Sequence, residues 1–222
     1  MNPGLRTIYS LVRQGENDRI EFKRKVAHPE KIVKEVVAFA NAGGGHLLIG
    51  VSDNGEVPGV KFPDEEEYAM TKAILELCKP KIDFELEFIP LSDNDDKAVL
   101  HYQIHSGPKK PYYAKEKQTD RYGIAYFRIE DRSVKASKEL KEILKRSSRK
   151  NGTTFRYGEK EKLLMQYLEE NQEITLPKFQ EVARISKYQA SRKLILLVAA
   201  HVLEIIPQEK DDIYILRSMN YD

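Results

Sequence analysis

The sequence predicts an α+β protein in two parts, and three observations carry that prediction. Up to residue 146, short apolar runs that alternate with charged residues are interspersed with stretches at helical spacing. Residues 147–158, SSRKNGTTFRYG, then break the periodicity with small, polar and Gly residues. Beyond them, three helical stretches lead into two apolar runs around a polar turn. The expected domains are residues 1–148 and 155–222.

Each element follows from its pattern. Leu5, Ile8, Tyr9 and Val12 fall at helical spacing, and Ile20 and Phe22 alternate with charges as a short strand does. Residues 28–40 form an amphipathic helix with Ile32, Val33, Val36, Val37 and Ala40 on one face. Residues 46–51 are a short apolar strand, closed by the turn Asp53-Asn54-Gly55. Residues 64–79 are a helix whose first turn carries acids, which the positive end of the helix dipole favours. Residues 82–89, 98–105 and 124–129 read as strands, and 137–146 as a helix closing the first domain. In the second part, helices are expected at 159–171, 176–184 and 187–203, followed by runs 203–206 and 213–216 around the turn 208–212. Three helices and a two-stranded hairpin make the winged-helix pattern, a variant of helix-turn-helix.

Composition narrows the function. A hydrophobic fraction of 41% supports a packed core, and no apolar run approaches the ~20 residues a membrane helix needs. Cys78 is the single cysteine, which excludes an intramolecular disulfide and a thiolate metal cluster and suits a reducing cytoplasm. The net charge is only +2, yet bases gather locally. Residues 19–34 hold Arg19, Lys23, Arg24, Lys25, Lys31 and Lys34 against Glu21 and Glu30. Residues 132–150 hold Arg132, Lys135, Lys138, Lys141, Lys145, Arg146, Arg149 and Lys150 against Glu139 and Glu142. Such blocks suit either a polyanion-binding surface or a solvated face.

Several motifs carry candidate chemistry. Asn41, Gly43, Gly44 and Gly45 stand between a helix and a strand. Glycines let backbone amides approach a phosphate, but a helix that precedes them offers its negative end, so a Gly cap is the competing reading. Lys109-Lys110-Pro111-Tyr112-Tyr113-Ala114-Lys115, with Arg121, Tyr122, Tyr126 and Arg128, interleaves bases with aromatics that can stack on single strands. The third helix of the second domain begins at the N-cap Ser186 and offers Lys187, Tyr188, Gln189, Ser191 and Arg192 for phosphates and base edges. The acids Glu209, Asp211 and Asp212 at the wing oppose a phosphate backbone. The histidines show no metal-ligand spacing; His101 and His105 share one strand face without a third ligand.

Glu21-Phe22-Lys23, Ala38-Phe39-Ala40-Asn41, Gly44-Gly45, Leu47 to Val51, Gly55 and Gly59, and later Tyr126-Phe127-Arg128 with Ser133, occur in this order over residues 5–146. In these motifs the chain resembles the Schlafen-type, Alba-like domain, formerly described as a divergent AAA-type ATP-binding domain. The resemblance implies a nucleic-acid-binding protein, and ATP at Asn41, Gly43, Gly44 and Gly45 under the older description. Many bacterial relatives append a winged helix and are described as transcriptional regulators, and an ATP-responsive or protein-docking regulator is a further alternative. The resemblance also implies an alternative, a ribonuclease using Mg or Mn held by Glu16 and Glu21, with Lys23 on the scissile phosphate. Those nucleases place a third acid where this chain has Gly43. The expectation is therefore a cytoplasmic, homodimeric DNA-binding regulator, contacting nucleic acid through Lys23, Arg24, Lys25, Arg121, Arg128, Lys187, Tyr188, Gln189 and Arg192.

Overall fold

In a computed structural model, residues 3–92, 96–147 and 157–217 are described. The chain divides into two compact units, Met1–Lys135 and Ala136–Asp222.

The first unit is built on a four-stranded sheet. Its strands are β1 (Ile20–Lys23), β2 (Gly45–Ile49), β4 (Phe84–Pro90) and β5 (Ala98–Ile104), in the order β1-β2-β5-β4. β1 and β2 run parallel; the other pairs are antiparallel. Two helices, α2 (Pro29–Asn41) and α3 (Pro63–Leu77), cover one face. Both begin with Pro in the first turn, where its missing N–H costs nothing, and α3 adds Asp64, Glu65 and Glu66 at its positive end. Val33, Val36, Val37 and Phe39 of α2 meet Leu47, Ile49, Leu100 and Tyr102 of the sheet in the main core. The opposite face is covered by α1 (Pro3–Val12), whose Leu5 and Ile8 pack with Ile20, Phe22, Leu48, Ile89 and Val99. β2 is thus buried on both sides, which is why residues 46–51 read as a continuous apolar run.

Two small ladders complete this unit. β3 (Cys78–Lys79) pairs with β6 (Tyr113–Ala114), and β7 (Tyr126–Ile129) forms a hairpin with β8 (Arg132–Lys135) that lies against α2. Cys78 is buried, and burial pushes its thiol up to about 12.

The second unit contains α4 (Lys138–Ser147), α5 (Glu159–Asn171), β9 (Glu173–Thr175), α6 (Leu176–Ala183), α7 (Lys187–Ala199), β10 (Leu203–Ile206) and β11 (Ile213–Leu216). The strands form an antiparallel sheet in the order β10-β11-β9. Leu164, Leu168, Phe179, Ala190, Leu194, Leu197, Leu203 and Tyr214 make its core. Fully burying each Leu or Phe contributes about 1.5–3 kcal/mol of transfer free energy.

The division falls at Lys135/Ala136 rather than within 147–158, and residues 148–156 of that stretch, with Arg149 and Lys150, lie outside the described residues. The helix expected to close the first domain, α4, instead packs on α7. Ser191 of α7 donates to Glu139 of α4 at 2.6 Å, both buried, and Ser137 donates to Asp212 at 2.5 Å. The third helix also ends earlier than expected, at Ala199, because His201 takes a left-handed conformation (φ 59°) that turns the chain into β10. No helix among the described residues is long and apolar enough to cross a membrane.

Candidate nucleic-acid interface

The most constrained side chain is Arg128. It lies in β7, and its side chain is 0% exposed. Nε donates to the Asn17 carbonyl at 3.1 Å and Nη2 to the Ile20 carbonyl at 3.3 Å. Nη2 also pairs with Glu21 Oε2 at 2.6 Å, and Nη1 with Glu35 Oε2 at 2.9 Å and Ser133 Oγ at 3.5 Å. The five N–H donors of a guanidinium thus have five acceptors, and the cation lies 5.0 Å over the Phe39 ring. Glu35 also accepts from Ser133 and pairs with Lys34 at 3.5 Å. Strand β1, helix α2 and the β7–β8 hairpin are fastened together at this one group.

Arg128, expected as a nucleic-acid contact, is instead buried: its donors are engaged inside the fold, and solvent does not reach it. The two predicted metal ligands are also engaged. Lys23 donates to Glu21 Oε1 while Arg128 holds Oε2, and Glu16 Oε1 accepts the Phe22 N–H at 2.8 Å. Burial raises the Glu21 carboxyl above the ordinary range and the Glu35 charge raises it further, against the lowering effects of Lys23 and Arg128. Among the described residues no group of three or more His, Cys, Asp or Glu is placed to hold a metal ion. The position of the missing third acid is covered instead: a Cβ at Gly43 would fall 2.2 Å from Arg19 Nη1. The residues present do not fit a divalent cation, and Lys23, tied to Glu21 and to the Phe22 carbonyl at 2.9 Å, is a partner of the cluster.

The glycine segment is likewise structural. Asn41 is buried; its Nδ2 donates to the Tyr112 and Tyr126 carbonyls at 2.9 and 2.8 Å, and its Oδ1 accepts the Tyr112 N–H at 2.7 Å. It staples the end of α2 to two later segments. Gly44 (φ +85°) lies so close to β5 that a Cβ would meet the Ile104 carbonyl at 2.7 Å, and one at Gly45 would enter the Phe39 ring. The Gly44 N–H closes α2 on the Phe39 carbonyl at 2.8 Å. The Gly44 N–H thus caps α2, and the Asn41 side chain is directed into the fold. Around the same turn, Arg19 Nη1 donates to the Gly44 carbonyl at 3.2 Å, Lys110 Nζ to the Ala42 carbonyl at 2.6 Å and Ser106 Oγ to that carbonyl at 3.2 Å.

The other candidates face outward. Arg24 and Lys25 are exposed just beyond β1. Arg121 is exposed and lies 5.2 Å over the ring of Tyr122, itself 76% exposed. On α7, Lys187, Tyr188, Gln189 and Arg192 are all exposed, while Ala190, Ser191, Leu194 and Leu197 are buried. Ser186 caps the helix: its Oγ accepts the Gln189 N–H at 3.3 Å, and Gln189 Oε1 accepts the Ser186 N–H at 3.1 Å. Ser191, expected to face a ligand, points inward to Glu139. Beside this face is a cavity of about 600 Å³, lined among others by Glu161, Tyr188, Arg192 and Leu196. Glu161 accepts from Lys193 and from the Gly158 N–H at 3.0 Å; burial pushes its carboxyl up, but these partners outweigh it and hold it below the usual range. Of the three acids in the turn between β10 and β11, Asp212 is buried and accepts the Gln208 N–H at 3.1 Å, so the turn exposes Glu209 and Asp211 alone of the three.

A mixed α+β domain pinned by a buried arginine–carboxylate cluster, with cations on an exposed helix of the second unit, defines the class. The chain belongs to the Schlafen, AlbA_2 family, whose profile matches residues 16–137. Among solved structures it is similar to the DIP2311 protein from Corynebacterium diphtheriae, at 15% identity and a TM-score of 0.44. That similarity covers 70% of this chain and 34% of the other, so the chain spans about a third of that protein's length.

Proposed function

We propose that the protein binds nucleic acid, DNA in preference to RNA, as a homodimeric transcriptional regulator whose second unit is a winged helix. One observation carries this reading: the N-terminal half of α7 presents Lys187, Tyr188, Gln189 and Arg192 to solvent while its other face is anchored in the core. A helix so placed offers phosphate and base-edge donors to a major groove. The order α5-β9-α6-α7-β10-β11, with β10 and β11 as the wing hairpin, supports the same reading, as does membership in the Schlafen, AlbA_2 family. The small net charge of +2 implies weak binding by a single copy, which is why two copies are part of the proposal.

A gel-shift titration of duplex DNA across salt tests it. The expected result is binding at low salt that falls steeply as salt rises, and that weakens about tenfold or more in Lys187→Ala/Arg192→Ala. Absence of binding at low salt, or an affinity indifferent to salt, refutes it.

A further inference from the structure

We infer that the cavity beside α7 takes a small aromatic carboxylate, and that this ligand releases the protein from DNA by occupying Arg192. The site stands on its own lining; its consequence rests on the DNA-binding reading of α7. The volume of about 600 Å³ falls within the range of small-molecule sites, roughly 300–1,000 Å³. Tyr188, Arg192 and Leu196 follow one another at four-residue intervals along α7, so they share one face of the helix. The half-buried Leu196 and the buried Leu197 give the cavity an apolar wall.

The charges on this lining do not cancel. Lys193 donates to the buried Glu161, and the two neutralise each other. Arg192 has no carboxylate partner among the described residues, so its guanidinium is left over as one positive charge facing the cavity. Gln189 Oε1 is taken up by Ser186, whose N–H lies at 3.1 Å and whose Oγ lies at 3.2 Å, which leaves the Gln189 amide N–H groups to donate. A guanidinium fork beside an amide donor matches a carboxylate, which accepts two parallel hydrogen bonds from Arg. A phosphate of a DNA strand would use the same cation but gains nothing from Leu196 and Leu197. An aromatic body covers that wall and packs against the ring of Tyr188, which is 69% exposed and without a partner ring among the described residues. Carboxylate and DNA therefore compete for Arg192.

The test uses the full chain, with 2-naphthoate as the probe and its neutral counterpart 2-naphthamide as the control. Calorimetric titration is expected to give 2-naphthoate a Kd of about 1 mM or tighter, the range open to a ligand of its size. The amide is expected to bind about tenfold more weakly, and Arg192→Gln, at an exposed position, to weaken 2-naphthoate by about the same factor. Leu196→Gln keeps every donor on α7; it is expected to weaken 2-naphthoate several-fold while binding duplex DNA as the wild type does. In a gel shift at matched ionic strength, saturating 2-naphthoate is expected to weaken duplex binding about tenfold, and 2-naphthamide to leave it unchanged. If neither 2-naphthoate nor benzoate binds at about 5 mM, or if binding survives unchanged in both Arg192→Gln and Leu196→Gln, the site is refuted and the α7 reading stands. Binding that leaves the duplex affinity unchanged refutes the competition. If the wild type binds no duplex, the functional reading fails and calorimetry decides the site by itself: a 2-naphthoate affinity that Arg192→Gln loses sustains it, and no binding overturns it.

Discussion

Arg128 is where a single residue has most leverage. Its fully buried cation balances Glu21 and Glu35, both with side chains 8% exposed. Removing one partner of a buried pair leaves uncompensated charge, so Arg128→Ala is expected to cost about 3–5 kcal/mol, read from urea denaturation. Arg128→Lys is expected to recover little, because an ammonium cannot reproduce the fork that reaches Glu21, Glu35 and two carbonyls. The sequence shows Arg128 as a motif residue but not its direction, since a cation on a strand face looks the same whether it meets solvent or a carboxylate 93 residues away. A signal for Glu35 was present: it falls in the same helical stripe as Ile32, Val36 and Phe39, where an acid has no place without a buried partner. A second residue-scale prediction concerns His46 and His101, whose ring nitrogens meet at 2.9 Å, with Glu87 3.7 Å from His101 and the Arg19 charge acting on His46. Burial lowers both below the ordinary histidine value, so the folded state binds these protons less readily than the unfolded chain. Their contribution to stability is present above the unfolded value of about 6.5 and is lost as pH falls below it. Tm should drop between pH 7 and 5, and His101→Gln should flatten that drop.

Helix α4 shows how far periodicity reaches. Its apolar stripe, Leu140, Ile143 and Leu144, is plain in the sequence, and the helix was placed within a few residues. Which unit it covers was not legible, because an amphipathic stripe states that a helix needs a partner and not which one. The deciding groups are Glu139 with Ser191 and Ser137 with Asp212, polar pairs far apart in sequence whose complementarity no spacing rule exposes. The short ladders escaped for a related reason: β3 and β6 have two residues each and carry no period. Two expectations follow at this scale. A fragment starting at residue 136 should melt cooperatively and at higher temperature than one starting at 155, which lacks α4, as followed by circular dichroism. Ser191→Ala, by leaving the buried Glu139 short of a donor, should cost about 1–3 kcal/mol in chemical denaturation.

For the whole molecule, the open choice is between binding alone and metal-assisted cleavage of a strand, and the choice turns on what a cation would have to displace. To gather Glu16 and Glu21 around Mg or Mn, the protein would release the Phe22 N–H from Glu16 and strip Lys23 and Arg128 from Glu21. Freeing Arg128 would also unfasten Glu35 and the hairpin, so metal affinity would be set against several kcal/mol of folding free energy. At the turn, a cation would approach Arg19 rather than an acid. Millimolar Mn or Mg should therefore leave the melting temperature unchanged, where a ligand binding the folded state at a hundred times its Kd would add about 2.7 kcal/mol. Incubated with tRNA and either metal, the protein should leave the strand intact while still retarding it in a gel at low salt. Cleavage that disappears in Glu21→Gln, accompanied by a metal-dependent rise in Tm, would show instead that the cluster opens to admit the ion.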